Sequence, residues 1–163
     1  MLGREYDTQL CSIARALEVV GERWTLLVVR SVFLGDHRFD ALQESLGITR
    51  SVLTTRLNRL VDEGVLERRP YSQRPPRDEY HLTEKGRALW PLLHHLMQWG
   101  DRHYPEPEGP PRIVEHRGCG GHPDDHLICD RCGARLESRD LRSIPGPAMT
   151  ARGLTGPRIP ASA

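Results

Sequence analysis

Apolar residues recur at helical spacing at the start of the chain. Four of them are separated by three or four positions: Leu10, Ile13, Leu17 and Val20. That spacing places them on one face of a helix. After Gly21, a second apolar segment runs over residues 24–33. The pattern predicts two helices packed against each other.

A shorter amphipathic segment follows. Its apolar positions are Phe39, Leu42 and Leu46. Asp40 with Gln43 three residues later has the form of a helix N-cap and its reciprocal partner, and Gly47 is a typical helix stop. We expect a short helix that begins after Asp40 and ends at Gly47.

The next segment has one apolar and one polar side. Thr49 can cap a helix whose apolar residues fall at positions i, i+4, i+7 and i+8. These residues are Leu53, Leu57, Leu60 and Val61. The opposite side is polar and consists of Ser51, Thr54, Thr55, Asn58 and Arg59. The second side is therefore predicted to face solvent or a ligand.

A basic hairpin is predicted after Gly64, which closes this helix. Residues 65–67 read as the start of a strand, and residues 79–83 read as its partner. Between them, residues 68–77 contain Pro70, Pro75 and Pro76 and are predicted to form a loop that cannot continue a sheet. Two helices followed by such a hairpin form a winged helix-turn-helix, whose second helix fits the DNA major groove while the hairpin reaches the flanking backbone.

A long helix is predicted from Thr83 or Glu84 onward. It is apolar on more than one side, with the residues Leu89, Trp90, Leu92, Leu93, Leu96, Met97, Trp99 and Tyr104. A helix with such wide apolar coverage is either buried or shared with a partner, so this one is predicted to mediate dimerisation.

The net charge of +1 indicates that any nucleic-acid surface arises from local clustering of arginines. Such clustering occurs between residues 50 and 80, although a merely solvated charged surface is the alternative.

No leader peptide and no apolar run that could cross a bilayer is recognisable, so we expect a cytoplasmic protein without a membrane partner. In that reducing compartment, cysteines are expected to be thiols or metal ligands.

The C-terminal part carries a metal-binding pattern. Its candidate ligands are His116, Cys119, Cys129 and Cys132, and a glycine follows the second member of each pair. The pattern is H-x2-C, nine intervening residues, then C-x2-C. Two ligand pairs with two residues between their members can wrap one tetrahedral ion, so the pattern resembles a small zinc ribbon with a structural Zn²⁺.

Two alternatives remain open for this pattern. His122 or His126 could replace His116 as a ligand, and a disulfide from Cys119 to Cys129 or Cys132 could replace the metal. Because the segment is too poor in apolar residues to order itself unaided, a crosslink of some kind is expected.

Four segments follow from these patterns. Residues 1–104 are predicted to form a DNA-binding and dimerisation domain, mainly α, with a three-helix core and a β-hairpin wing. Residues 105–112 are a proline-rich linker, residues 113–142 a small β-type Cys/His module, and residues 143–163 a disordered tail.

The N-terminal part resembles the HxlR family of bacterial winged-helix transcription regulators, which are relatives of the MarR group. The residues that carry the resemblance are Cys11, GERWTLLVVR at 21–30, GDHRFDALQ at 35–43, LTTRLNRLVDEGVLERR at 53–69 and RPPRDEYHLTEKGRAL at 74–89. The resemblance implies a homodimer, built mainly from the first and last helices of the domain, whose two reading helices enter successive major grooves of double-stranded DNA.

Candidate DNA contacts come from the polar helix face and the hairpin. Hydroxyl, amide and guanidinium groups can donate to base edges or phosphates. The expected contacts are Arg50, Ser51, Thr54, Thr55, Asn58 and Arg59 on the helix, Arg74 and Arg77 on the hairpin, and Arg38 before the first helix of the motif. The alternative for these residues is a polar surface that only confers solubility.

Cys11 is a candidate redox sensor, because members of the family respond to oxidants or electrophiles through a cysteine at this position. A helix N-terminus or the nearby Arg15 would favour its thiolate. The residue after it is Ser12, where proline is common in the family. The alternative is a small, half-buried helix residue.

The sequence therefore predicts a sequence-specific, DNA-binding transcription regulator that responds to a small-molecule or electrophile effector. It would act as a homodimer on a pseudo-palindromic operator with half-sites about 34 Å apart. A protein-docking module is the main alternative. An enzyme is not expected, because paired carboxylates, a Ser-His-Asp set and a phosphate-binding loop are not recognisable.

Overall fold

The computed structural model describes residues 10–74 and 76–154. The chain divides into two compact units between Gly86 and Arg87. The sequence predicted the boundary at the proline-rich linker, residues 105–112. The long helix predicted from Thr83 or Glu84 onward was assigned to the DNA-binding domain. In this division most of its residues belong to the C-terminal unit. Among the described residues, no helix is both long and apolar enough to span a membrane.

Four helices form most of the first unit. They are α1 (Ser12–Val20), α2 (Thr25–Phe33), α3 (Phe39–Leu46) and α4 (Arg50–Asp62). Helices α2, α3 and α4 contact one another and form the predicted three-helix core. Val28 and Val29 on α2, together with Leu42 on α3, are completely buried there.

The start of α3 differs from the prediction. Arg38, with an extended backbone, is the N-cap residue, and its side chain makes no capping bond. The prediction that Asp40 caps this helix was therefore wrong. Asp40 lies in the first turn, where its carboxylate still interacts favourably with the positive end of the helix. The predicted end is confirmed, since Gly47 takes a left-handed conformation with φ of 62°.

Helix α4 forms as its residue pattern predicts. Thr49 is the N-cap, and its hydroxyl accepts the backbone N–H of Val52 at 3.5 Å. Leu53, Leu57 and Leu60 are all 0% exposed. This buried stripe fixes the rotation of α4 about its own axis, so the polar side points away from the core.

The wing is a longer hairpin than the sequence suggested. Strand β1 (Leu66–Gln73) pairs antiparallel with β2 (Pro76–Leu82), from Leu66 opposite Leu82 out to Gln73 opposite Pro76. The prediction of a loop over residues 68–77 was wrong. In a two-stranded hairpin each strand lacks a partner strand on its outer side, so a proline without an N–H is tolerated there. A shift of register between Pro70 and Ser72 marks a bulge at Tyr71.

The predicted long helix after the wing is divided into two. Helix α5 (Glu84–Arg87) ends before α6 (Trp90–His103) begins. Pro91 explains the break, because its ring would collide with the carbonyl group of Arg87 and it offers no N–H to a continuous helix. In the first turn of α6 the missing N–H has no cost.

The second unit combines α6 with the Cys/His segment. Its further elements are β3 (Arg112–His116), a short 3₁₀ helix (Ser138–Asp140), β4 (Leu141–Pro145) and α7 (Pro147–Ala151). Strands β3 and β4 pair antiparallel. Their small core consists of Val114, Cys129, Leu136 and Leu141, and the side chains packed against it are Trp90, Met97 and Cys119.

The prediction of a disordered tail from residue 143 was wrong for the first part of that segment. Residues 143–145 complete β4, and α7 follows directly with Ala148 only 1% exposed. The ordering comes from contacts with residues distant in sequence, such as the bond from the N–H of Gly146 to the carbonyl oxygen of Pro111 at 2.8 Å. Residues 155–163 lie outside the described part of the chain.

Gly86 should be intolerant of a side chain. A Cβ at this position would lie 2.2 Å from the carbonyl oxygen of Val65 and 2.9 Å from Cδ2 of Leu82. We expect Gly86→Ala to destabilise the first unit by about 2 kcal/mol through overpacking against the wing. Differential scanning calorimetry measures the loss. Gly100→Ala is the control, because nothing lies within 4 Å of its Cβ; its transition should be unchanged or slightly raised. Equal melting temperatures for both variants and wild type would contradict the expectation.

Candidate nucleic-acid interface and Cys/His centre

The polar side of α4 is open to solvent. All six residues predicted to contact DNA from this helix are exposed: Arg50, Ser51, Thr54, Thr55, Asn58 and Arg59. Because the leucines of the same helix are fully buried, these six side chains form one continuous outward surface, which we call the α4 face.

Two residues of the α4 face are positioned by neighbours that the sequence did not single out. The side chain of Asn58 accepts a hydrogen bond from Nη2 of Arg68 on β1. Arg59 forms an ion pair with Glu63, one turn further along, at 2.9 Å. The i, i+4 spacing of Arg59 and Glu63 was a visible signal. The contact from Arg68 to Asn58 depends on how the wing folds back towards α4, so no sequence pattern pointed to it.

The hydroxyl groups of the α4 face are engaged only locally. Thr55 donates its hydroxyl hydrogen to the carbonyl oxygen of Ser51 at 3.0 Å, and Ser51 shares a hydrogen bond of 3.2 Å with Thr49. These local bonds leave lone pairs on the hydroxyl oxygens that can still accept a hydrogen bond from a ligand. Arg50 lies at the helix entry with its guanidinium 4.6 Å from the centre of the Phe39 ring.

The wing carries two exposed arginines. Arg74 lies at the turn and Arg77 lies in β2 opposite Ser72. Neither makes an ion pair with any other residue in the ranges 10–74 and 76–154. Their positive charge is therefore not neutralised by a described carboxylate.

Arg38 is held at the base of the wing. Its Nε donates to Oε1 of Glu79 at 3.0 Å, and its guanidinium lies 4.5 Å from the centre of the Tyr71 ring. The bond from Arg38 keeps the pKa of the Glu79 carboxyl below its ordinary value. Tyr71 was not predicted to take part, and its position follows from the bulge in β1. A paired Arg38 is less available to a phosphate than Arg74 or Arg77.

Two histidines stack beneath the same part of the wing. The ring centres of His37 and His81 lie 4.3 Å apart, and Nδ1 of His37 is 3.0 Å from the carbonyl oxygen of Tyr80. Burial lowers the pKa of His81, and the neighbouring His37 adds to the effect. The stack joins the segment before α3 to β2, and the lowered pKa of His81 favours its neutral ring.

Each unit carries an exposed apolar surface of its own. In the first unit the exposed apolar side chains are Leu10, which precedes α1 by two positions, and Ile13 and Leu17 on α1. On α6 and just after it they are Leu92, Leu96, Trp99 and Tyr104. Trp99 lies 5.4 Å from Tyr104 between ring centres. Exposed apolar clusters of this kind mark interaction surfaces.

Cys11 is an exposed free thiol at the N-cap of α1. Its side chain makes no capping bond. The guanidinium of Arg15 donates to the hydroxyl of Ser12 at 3.2 Å.

The four predicted ligands in the second unit converge on one point. The ligand atoms of His116, Cys119, Cys129 and Cys132 all lie within 4.8 Å of one another. Nδ1 of His116 is 3.3 Å from Sγ of Cys119 and 3.4 Å from Sγ of Cys132. We call these four residues the Cys/His centre.

Matching backbone turns support the two halves of the Cys/His centre. In the first half, the N–H of His116 donates to the carbonyl oxygen of Gly121, and the N–H of Gly120 donates back to His116. In the second, the N–H of Cys129 donates to Ala134, and that of Gly133 donates back to Cys129. Both turns have the same hydrogen-bond pattern.

A glycine is required at the same place in each turn. Gly120 has φ of 72° and Gly133 has φ of 71°, a conformation that is costly for other residues. These were the two glycines that follow the ligand pairs in the sequence, so this part of the motif predicts its local backbone.

The thiols influence one another strongly. Burial acts to raise the pKa of Cys129, but N–H groups of Cys132 and Arg131, and bonds with Cys119 and His116, outweigh it and hold the pKa at about 6. For Cys119, the N–H of Gly121 acts to lower the pKa, yet burial and the neighbouring Cys129 and Cys132 outweigh it and raise the pKa. One thiolate thus forms readily, and further charge requires a cation.

The donor set fits a tetrahedral metal ion. Three sulfur atoms and one imidazole nitrogen suit Zn²⁺, for which sulfur ligands at about 2.3 Å would lie about 3.8 Å apart. Sγ of Cys119 is 3.4 Å from Sγ of Cys129, so a small expansion of the cluster would admit the ion. The four cysteines of the chain are free thiols.

Residues next to the Cys/His centre stabilise its two turns without supplying a ligand atom. Arg131 donates from Nη1 to the carbonyl oxygen of Cys119 at 2.6 Å, which ties one turn to the other. His122, one of the alternative ligands, has Nδ1 2.9 Å from the carbonyl oxygen of Val114. The cluster that could hold a metal includes His116 and neither His122 nor His126.

Comparisons with other proteins give consistent matches. A family model described as HxlR-like helix-turn-helix matches residues 19–108. An uncharacterized HTH-type transcriptional regulator of Mycobacterium tuberculosis, Rv3095, is 50% identical over 141 residues, which cover 86% of this chain and 89% of that protein. The HTH-type regulator YdeP of Bacillus subtilis is 34% identical over 106 residues, which cover 63% of this chain and 83% of that protein.

Two solved structures differ in how much of the chain they match. The crystal structure of PA1607, a candidate transcription factor, has a TM-score of 0.67 and 35% identity, and covers 83% of this chain and 94% of its own. The oxidized form of the redox regulator HypR has a TM-score of 0.53 and 33% identity, and covers 57% of this chain but 97% of its own. HypR thus lacks a counterpart for a large part of this chain.

The family model spans more than half of the chain, and the 50% sequence identity with the relative from M. tuberculosis extends over most of both proteins. The chain belongs to the HxlR-like helix-turn-helix family of transcriptional regulators.

Proposed function

We propose that this protein is a transcription regulator that binds a specific DNA sequence as a homodimer. The observation that carries the proposal is the α4 face, whose hydroxyl, amide and guanidinium groups are all exposed while the opposite side of α4 is buried. A helix with such a face can enter a major groove and donate to base edges and phosphates. The protein acts by binding rather than by catalysis, in the cytoplasm.

The residues of the α4 face and the wing have separate tasks in this proposal. Asn58, oriented by Arg68, is suited to a base edge, and Arg59 exchanges Glu63 for a phosphate or a guanine. Arg74 and Arg77, which lack a described ion pair, hold phosphates beside the site or enter a minor groove. Arg38 makes a weaker backbone contact, because Glu79 competes for it.

The apolar surfaces of α1 and α6 support the homodimer. Each surface is exposed within its own unit, and together they supply the apolar area that a two-fold interface requires. A dimer that reads a pseudo-palindromic operator has to hold its two α4 faces about 34 Å apart, the length of one helical turn of DNA.

A structural Zn²⁺ in the Cys/His centre is part of the proposal. Four protein ligands close the coordination shell, so the ion would crosslink the two backbone turns and leave no open position for a substrate. It would supply the crosslink that a core of this size needs in order to stay folded.

Regulation through Cys11 by an oxidant or electrophile, or by a small-molecule effector, completes the proposal. The support is the exposure of Cys11 at a helix N-terminus and the likeness to HypR, which is named a redox regulator. A modified Cys11 would act by favouring one dimer geometry over another.

Binding to operator DNA should weaken steeply with salt. About six phosphate contacts per dimer would release counterions and give a slope of about −5 in a plot of log K against log salt concentration. Fluorescence anisotropy with a labelled operator, selected from random sequences, measures this slope. A flat salt response would exclude the DNA-binding function.

Sequence preference should depend on the α4 face. We expect Thr55→Ala and Arg59→Ala each to weaken binding to the selected operator by about tenfold, with a smaller effect on random DNA, because base contacts are lost. Arg139→Ala is the matched control: it also removes an ion-paired arginine, paired with Glu137 at 3.0 Å, from an exposed site in the other unit. The same loss in all three variants, on both DNAs, would argue against base reading by α4.

The purified protein should contain one zinc ion per chain. His116→Gln should lose at least tenfold in zinc affinity, since it removes a ligand, whereas His126→Gln should keep wild-type affinity. Competition with a chromogenic chelator, together with elemental analysis, measures both. Retention of zinc by the first variant and loss by the second would place the fourth ligand at His126.

A further inference from the structure

The Cys/His centre and the inner side of α6 share one core. Cys129 is 2% exposed and belongs to the core of the second unit, and Cys119 packs against that core. Trp90 and Met97, both on α6, rest on the same core. Two of the four ligands are thus part of the surface on which α6 lies.

This core is too small to persist without its crosslink. It contains four buried side chains, of which one is a ligand, and a core of that size does not order a chain segment unaided. The support of α6 therefore depends on whatever holds the four ligands together.

The ligands differ in their access to solvent. Cys129 is buried, and His116 and Cys119 are partly buried, but Cys132 is exposed. A solute that attacks the Cys/His centre reaches the sulfur of Cys132 first. Its ligand atom lies within 4.8 Å of those of both other cysteines, so a second thiol is within reach after a small movement.

We infer that Cys132 is a peroxide-sensitive site whose oxidation opens the Cys/His centre and releases α6. The inference rests on the proposed zinc occupancy. It is independent of Cys11, which lies in the other unit.

The chemistry needs one peroxide per chain. The thiolate of Cys132 attacks the O–O bond of a peroxide ROOH; an S–O bond forms, the O–O bond breaks, and RO⁻ takes a proton and leaves as ROH. The thiolate of Cys119 or Cys129 then attacks the sulfenic sulfur; an S–S bond forms, and hydroxide leaves with a proton as water. Two thiolates, the peroxide and two protons give a disulfide, an alcohol (or water) and water, and the ligand set loses two donors.

Loss of the crosslink changes α6 on both sides. The outer side already exposes Leu92, Leu96 and Trp99. Without the core beneath it, the inner side would also expose Trp90 and Met97. Because the same helix supplies apolar surface for the proposed dimer, a change in its support alters the dimer by the free-energy difference between the two states of the unit.

The test exposes the full-length, zinc-loaded protein to hydrogen peroxide. The readouts are released zinc, measured with a chromogenic chelator, disulfide location by peptide mass spectrometry, and oligomeric state by sedimentation. We expect one zinc released per chain, a disulfide that includes Cys132, and a dimer dissociation constant raised at least tenfold. Reduction and added zinc should restore the dimer.

Two variants separate the alternatives. Cys11→Ser should release as much zinc as wild type does, and its dimer should still weaken, because its Cys/His centre is unchanged. Cys132→His keeps a fourth donor for zinc but removes the exposed thiol that peroxide reaches first, so it should retain zinc at peroxide concentrations that empty the wild type. Unmodified Cys132 in peroxide-treated protein, zinc release abolished by Cys11→Ser, or zinc release with an unchanged dimer would each overturn the inference.

DNA binding by the reduced protein is measured beforehand and separately. If the reduced, zinc-loaded protein does not bind DNA, the proposed function fails while the oxidation result still stands. If the purified protein contains no zinc and cannot be loaded, the inference fails and the DNA-binding proposal remains.

Discussion

Burial of the leucine stripe on α4 is the constraint on which the rest of the first unit depends. Leu53, Leu57 and Leu60 have no exposed surface, and rotating the helix by even a quarter turn would bring polar groups into the core at a cost of several kcal/mol. The outward direction of the polar residues is thus a consequence of packing. Nothing about DNA has to be assumed in order to place them on the surface.

The parts of the structure that were predictable are those set by local rules. The N-cap at Thr49 and the left-handed glycine at Gly47 follow from residue type and spacing over a few positions. So do the two turns of the Cys/His centre, since a pair of ligands with two residues between them and a glycine behind them folds into one kind of turn. In each case the decisive interaction joins residues that are close in the sequence.

The parts that were missed depend on partners distant in sequence. The wing pairs out to Gln73 because every residue of β1 except the bulged Tyr71 has a partner on β2, which outweighs the proline signal. Strand β4 and α7 form because β3 offers an edge about 30 residues earlier. Composition alone suggested disorder for that segment. The contacts of Arg68 with Asn58 and of Tyr71 with Arg38 likewise need the folded hairpin.

The prolines of the wing have a consequence for the behaviour of the protein in a crowded cell. A free strand edge is a template for a foreign strand, and an exposed hairpin of this length would ordinarily invite aggregation. Pro70 and Pro76 each remove a backbone donor that an incoming strand would need, and the bulge at Tyr71 interrupts the repeat. The same irregularities that obscured the hairpin in the sequence protect it from building amyloid-like ribbons with its copies.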